Sequence, residues 1–157
     1  MHLLVDSPVG PLGVALDGDT VVGVRFGAPP GFGPAGVPGA HPAIDELSAY
    51  FAGSLTDFTV PVRMLGGSEF ERAVWGEIAK IPYGEMHTYG AIATALGDPG
   101  AARAVGIACN HNPVPVIVPC HRVVGAGGKM VGFGGGIPRK RHLLELEARV
   151  AFENLWS

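Results

Sequence analysis

Cysteine is nearly missing from this chain. Its 157 residues hold two, Cys109 and Cys120, too few for the disulfide framework of a small secreted scaffold. No apolar run approaches the roughly 20 residues that a membrane span needs. The opening residues, Met1-His2-Leu3-Leu4-Val5-Asp6, lack the basic patch and long apolar core of a signal peptide. The expectation is a cytoplasmic protein with no membrane partner, in a reducing compartment where a thiol stays free. Charge is sparse, at 16% of residues and a net of −3, which excludes a blanket affinity for polyanions. No GK[ST] follows a glycine-rich loop, so a phosphate cradle is not expected. The histidines share no ligand spacing with cysteine or with one another. The expected cofactors and metals are none.

What is present is ample material for a core, 47% hydrophobic, broken by 25 glycines and 14 prolines. Charge is unevenly placed. Residues 1–63 carry six acids against Arg25 and Arg63, whereas residues 64–157 carry eight acids against nine bases, with Arg139, Lys140 and Arg141 adjacent. Short β-branched runs at 3–5, 12–16 and 20–26, with Asp17-Gly18-Asp19 between the last two, predict an antiparallel meander. Residues 27–42 are dense in Gly and Pro and predict a loop. A helix over 42–52 and a strand over 58–62 complete a small α/β lobe at 1–64.

Leu65-Gly66-Gly67 reads as the linker to a mainly helical domain at 65–157. Ser68 is placed to cap a helix over 69–79, and Thr88 to cap one over 89–96. Gly97-Asp98-Pro99 then turns into a helix over 100–110, which makes a helix-turn-helix pattern. A last helix runs over about 138–149, with proline near its first turn and Leu143, Leu144 and Leu146 facing inward. The fold class is thus α/β of the α+β kind.

The chemistry concentrates in one stretch, Asn112-Pro113-Val114-Pro115-Val116-Ile117-Val118-Pro119-Cys120-His121-Arg122-Val123-Val124. Its apolar run reads as a short buried strand ending at Pro119, with a thiol immediately after. Cys120 reads either as a buried core cysteine or as a nucleophile tuned by His121 and Arg122. Strand geometry would point His121 away from the sulfur, so the backbone must bend at Pro119 for the two to act together. Cys109, inside a helix of small residues, reads as packing. Glu147 reads as a solvated helix carboxylate, unless its helix packs on the cysteine segment and holds His121 in its basic tautomer. Ala101-Ala102-Arg103-Ala104-Val105-Gly106 presents small residues and one long cation. That is either tight helix packing or a surface suited to close approach to a narrow groove, since major-groove readers present several long polar side chains.

The cysteine stretch resembles the active-site signature of the O6-alkylguanine-DNA alkyltransferases. Ile81-Pro82-Tyr83-Gly84-Glu85, Thr88-Tyr89-Gly90 and Ala101 to Gly106 extend the similarity from about residue 70 to 147. The resemblance implies direct DNA repair: single-turnover transfer of an alkyl group from O6-alkylguanine in double-stranded DNA to Cys120, by a monomer bound in the minor groove. It implies that His121 takes the Cys120 proton through a water and that Glu147 orients His121. Asn112 ties the turn before the active site, and Tyr89 donates to the guanine ring and crowds a phosphate. Arg103 fills the stack after the base is extruded, while Ala101, Ala102, Ala104 and Gly106 line the groove. Pro115, Val131, Phe133 and Gly134 would form the substrate pocket. Phe133 stands where many relatives have tyrosine, Val131 where glycine is common, and Pro115 matches an apolar wall in members that accept bulky groups. The expectation is faster repair of methyl than of benzyl lesions, which competition between the two substrates tests. A non-catalytic damage-binding relative of the same fold and a Cys-His-Glu hydrolase are the rival readings.

Overall fold

Three strands lead the chain, as the alternation predicts: β1 (His2–Val5), β2 (Leu12–Asp17) and β3 (Thr20–Phe26) form an antiparallel sheet in that order. A register irregularity falls between Ala15 and Leu16. The sheet buries Leu12, Val14, Val21 and Val24 on one side, together with Ile44, Leu47 and Tyr50 of helix α1 (Pro42–Phe51). In this computed structural model, which describes residues 1–156, these elements belong to a first unit of Met1–Leu65 plus Pro113–Ile117.

Helix α1 starts with an unusual cap. His41 is buried, and its Nδ1 accepts the Ala43 N–H at 3.0 Å. The ring proton must therefore sit on Nε2, which donates to the Gly18 carbonyl at 2.9 Å. Replacing His41 with alanine removes both bonds and is expected to lower stability by about 1 kcal/mol, the usual value of an N-cap. Chemical denaturation followed by helix signal measures it.

The strand expected at residues 58–62 does not form. Glu46 takes the backbone N–H groups of Thr59 and Val60, and Pro61 has none to give. Only a single bridge survives, between Val62 and Val21. The strand expected across 112–118 is also absent. Three prolines (Pro113, Pro115 and Pro119) deprive the run of ladder donors, and Val116 takes a positive φ of 74°. The run folds as turns, and Val24 N–H donates to the Pro113 carbonyl at 2.9 Å. Its apolar side chains satisfy burial without a ladder.

The second unit comprises Gly66–Asn112 and the chain from Val118 onward. Its elements are α2 (Glu69–Ile78), β4 (His87–Thr88), α3 (Tyr89–Ala95), α4 (Ala102–Asn110), β5 (Val123–Val124) and α5 (Ile137–Asn154). Helix α2 opens with a full capping box between Ser68 and Glu71. Gly67, at φ +87°, lies under Trp75, where any Cβ would come within 2.5 Å of the indole. That indole in turn donates to the Ala108 carbonyl at 2.9 Å and fixes α4. The predicted helix over 100–110 begins as a single tight turn (Pro99–Ala101) before α4 proper. No capping side chain serves α4, which accounts for the later start. Helix α5 runs one turn further than the sequence predicts, to Asn154. Leu143 and Leu146 are buried on it, and Leu144 is only half-buried.

Candidate active site and DNA-facing groove

Pro119 bends the chain where the chemistry requires it. At φ −83° and ψ 64° it is an inverse γ-turn, closed by Cys120 N–H to the Val118 carbonyl at 2.8 Å. Cys120, His121 and Arg122 then form one tight helical turn. Strand alternation no longer applies, and the side chains of His121 and Arg122 both reach Glu147. The parallel pairing of β4 with β5, His87 to Val123 and Thr88 to Val124, brings Tyr89 alongside the same turn.

Glu147 is the centre of a closed ionic cluster. Its Oε2 accepts from His121 Nε2 at 2.7 Å. Arg122 grips both carboxylate oxygens, at 2.7 and 3.0 Å, and donates to the Ile81 carbonyl at 2.6 Å. His121 and Glu147 are 0% and 1% exposed. Burial pushes the Glu147 carboxyl up, but the hydrogen bond from His121 and the hydrogen bonds and charge of Arg122 outweigh it and hold the group at about 2. Burial depresses the His121 imidazole below its ordinary range against the pull of Glu147, so the ring is neutral. With Nε2–H committed to Glu147, the bare lone pair is on Nδ1, which is buried and has no hydrogen-bond partner among the described residues.

Cys120 is buried, and desolvation pushes its thiol up to about 11. The Asn112 side chain, the Lys140 charge and the backbone N–H groups of Cys120 and His121 pull the other way. Asn112 also donates to the Val118 carbonyl at 2.9 Å, tying together the two ends of chain that flank residues 113–117. The resting group is a thiol, and a base must remove its proton before it attacks.

These shifts set a pH window for stability. An unfolded His121 takes up a proton as pH falls through about 6.5, whereas the folded one resists, so stability declines on acidification from there. The Glu147 contribution is complete above its ordinary 4.5 and is lost toward 2. Above pH 9 an unfolded Cys120 ionises while the folded thiol holds to about 11, so stability falls again. Thermal unfolding is expected to plateau between about pH 6.5 and 9. Cys120→Ala should weaken the alkaline decline, which the buried Cys109 thiol shares, and keep the acidic one.

Helix α4 and the glycine-rich loop flank an open cavity of about 720 Å³, lined among others by Thr88, Tyr89, Arg103, Gly106, Asn110 and Val131. That volume suits a small-molecule ligand. Gly106 is where α4 meets the Tyr89 ring, since a Cβ there would lie 3.9 Å from it. The Tyr89 hydroxyl donates to the carbonyls of Val131 and Gly132, at 2.9 and 3.2 Å, and so latches the loop. Lys140, 0% exposed, holds the same stretch: its ammonium donates to the carbonyls of Val123 and Val131 at 2.5 and 3.2 Å. It also stands 5.7 Å from the Tyr89 ring centre. Cys120 does not line the cavity, although the sulfur interacts electrostatically with Tyr89 on its wall and with Lys140.

Not every expected site residue gathers here. Arg103, Ala102, Gly106, Tyr89 and Val131 line the cavity, whereas Ala101, Ala104, Phe133 and Gly134 do not. Pro115 lies in the Pro113–Ile117 segment of the first unit. Cys109 is buried, as packing requires. Sequence reasoning missed Lys140, the anchoring role of Arg122, and Ile107 and Asn110 on the cavity wall. Lys140 was legible, because it shares a helical stripe with Leu143 and Glu147. Within the Arg139-Lys140-Arg141 run it reads instead as one of three surface bases.

Comparison with known proteins bears on the same residues. The family profile described as 6-O-methylguanine DNA methyltransferase, DNA binding domain, matches residues 69–149. A methylated-DNA–protein-cysteine methyltransferase of Mycobacterium tuberculosis is 51% identical over 149 residues, covering 91% of this chain and 89% of its own. One from Methanosarcina acetivorans is 42% identical over 154 residues, covering 93% and 97%. A crystal structure of Mycobacterium tuberculosis OGT in complex with DNA matches with a TM-score of 0.85 at 48% identity, covering 95% of this chain and 93% of that one. With the profile spanning the Cys120 turn, α4 and Glu147, the chain belongs to the O6-methylguanine-DNA methyltransferase family.

Proposed function

We propose that residues 65–157 carry out direct repair of O6-alkylguanine in duplex DNA, one alkyl group per molecule. The protein binds as a monomer from the minor groove, with α4 against the duplex. Ala101, Ala102, Ala104 and Gly106 permit the close approach, and Arg103 enters the stack as the damaged nucleotide swings out. The base enters beside Tyr89, whose hydroxyl exchanges the Val131 carbonyl for guanine N3.

The Cys120 proton passes through a water to Nδ1 of His121, and Glu147 stabilises the imidazolium that forms. The thiolate displaces guanine O6 from the alkyl carbon: a C–S bond forms, the C–O bond breaks, and the electron pair stays on the guanine. The Tyr89 hydroxyl at N3 stabilises that charge. The thioether has no leaving path, so Cys120 is spent, and no cofactor takes part. Val131, Phe133 and Gly134 shape the alkyl preference toward methyl. The compartment is the cytoplasm.

The observation that carries this reading is the one-turn arrangement of Cys120 and His121, with the imidazole tautomer fixed by Glu147 and its basic nitrogen unengaged. Incubation with DNA containing O6-methylguanine, followed by intact-mass measurement and peptide mapping, tests it. One methyl group retained on Cys120 is the expected result. Repeated turnover with unmodified protein would favour a hydrolase, and binding without reaction would favour a damage-recognition role.

A further inference from the structure

Helix α4 is built for two different faces. Val105, Ala108 and Cys109 are buried on one, and Arg103, Gly106, Ile107 and Asn110 look onto the cavity on the other. Ala102 and Gly106 beside Arg103 follow the rule of small residues and one cation, and Asn110 adds a polar group. Ile107 breaks it. Its side chain is 53% exposed, one helical turn after Arg103 and on the same face.

Folding gives no reason for an isoleucine there, since a β-branched residue is a poorer choice than alanine on an exposed helix surface. A solitary exposed apolar side chain would need no explanation. This one, however, shares its cavity with another, Val131, which is 45% exposed on the facing loop.

We infer that Ile107 is a positioning residue for the duplex, packing on the deoxyribose wall of the minor groove one helical turn beyond the point where Arg103 enters the stack. The inference rests on the minor-groove reading given above. An aliphatic side chain gains by leaving water against sugar carbons, and it displaces no counterion. Its contribution should therefore not depend on salt, unlike that of a cation. It acts on the duplex and not on the reacting atoms.

The test is equilibrium binding and single-turnover methyl transfer with duplex DNA containing O6-methylguanine, across a range of salt, for the wild type, Ile107→Ala, Ile107→Val and Arg103→Ala. Free O6-methylguanine base serves as a second substrate. Ile107→Ala should bind the duplex about five- to tenfold more weakly, the scale of a few buried methyl groups, with the slope against salt unchanged. Its loss toward the duplex should exceed any loss toward the free base, and Ile107→Val should recover most of the affinity. Arg103→Ala should lose affinity and flatten the salt slope. If Ile107→Ala binds within about twofold of wild type while Arg103→Ala is impaired, the inference fails and the groove reading stands. If Ile107→Ala loses equal activity toward the free base, it acts on the pocket, and the inference fails. If neither variant affects the duplex, the minor-groove reading itself fails.

Discussion

Cys120→Ser should stop transfer altogether, slowing it by at least about a thousandfold, the scale seen when a nucleophile is removed from a catalytic unit. A serine hydroxyl has the volume to sit in the same turn and accept the same backbone N–H groups, so the fold and the α4 surface should be undisturbed. What it cannot do is become a good anion. Even the thiol is held at about 11 by burial, and its reaction depends on handing a proton to His121 as the alkyl carbon approaches. An alcohol in that dry setting keeps its proton. Duplex affinity should stay within about twofold of wild type, because Cys120 does not line the cavity.

The matched control is Cys109→Ala, which should react at close to the wild-type rate. Burial, with a smaller push from Cys120, raises the Cys109 thiol to about 12, so it is a poor rival for the alkyl group. Methyl retained by the Cys120→Ser protein would place the nucleophile elsewhere and remove the basis for the mechanism. Intact mass and gel-shift affinity on the same preparations separate the two results.

The three-stranded meander and α1 were readable because local signals and burial agreed, whereas the strand read at 58–62 did not form. Alternating β-branched residues, Asp-Gly-Asp turn chemistry and an apolar stripe at helical spacing all pointed one way. The strand read into residues 112–118 shows where such reading fails. Apolar content marked the run as buried, and burial is what it achieves. Backbone pairing, though, needs donors that Pro113, Pro115 and Pro119 do not have.

The site divides the same way. Cys120 and His121 announced themselves by adjacency and Arg103 by isolation among alanines, and the family motif added Asn112, Tyr89 and Glu147. The link from Glu147 to His121 spans 26 positions, and no local pattern encodes it. Lys140 was masked by its neighbours' charge, since a run of three bases draws attention from the stripe with Leu143 and Glu147 that marks it as the one turned inward to the carbonyls of Val123 and Val131.

Glu147 offers the other large effect, and two substitutions there separate structure from chemistry. Glu147→Ala leaves the Arg122 guanidinium, 6% exposed, with one carbonyl partner and no counter-charge, and it orphans the imidazole proton. Breaking a buried pair from one side costs about 3–5 kcal/mol, more than the pair itself contributes. For a domain of ordinary stability that is a large share of the total, so the variant should melt far below wild type or fail to accumulate. Glu147→Gln is gentler and more telling. With its carbonyl oxygen kept on Arg122 Nε, its NH2 group takes the Oε2 position, where it loses the Arg122 Nη2 bond and faces His121 Nε2, which must then accept. The imidazole proton moves to Nδ1, the nitrogen meant to take the thiol proton. Glu147→Gln should therefore fold and bind duplex DNA yet transfer methyl some 10²- to 10⁴-fold more slowly, the range of a lost general base. Part of that loss should be recovered at alkaline pH, where hydroxide removes the Cys120 proton directly. A Gln variant reacting at the wild-type rate at pH 7, with denaturation confirming the Ala defect, would make the cluster purely structural and leave the thiol to find another base.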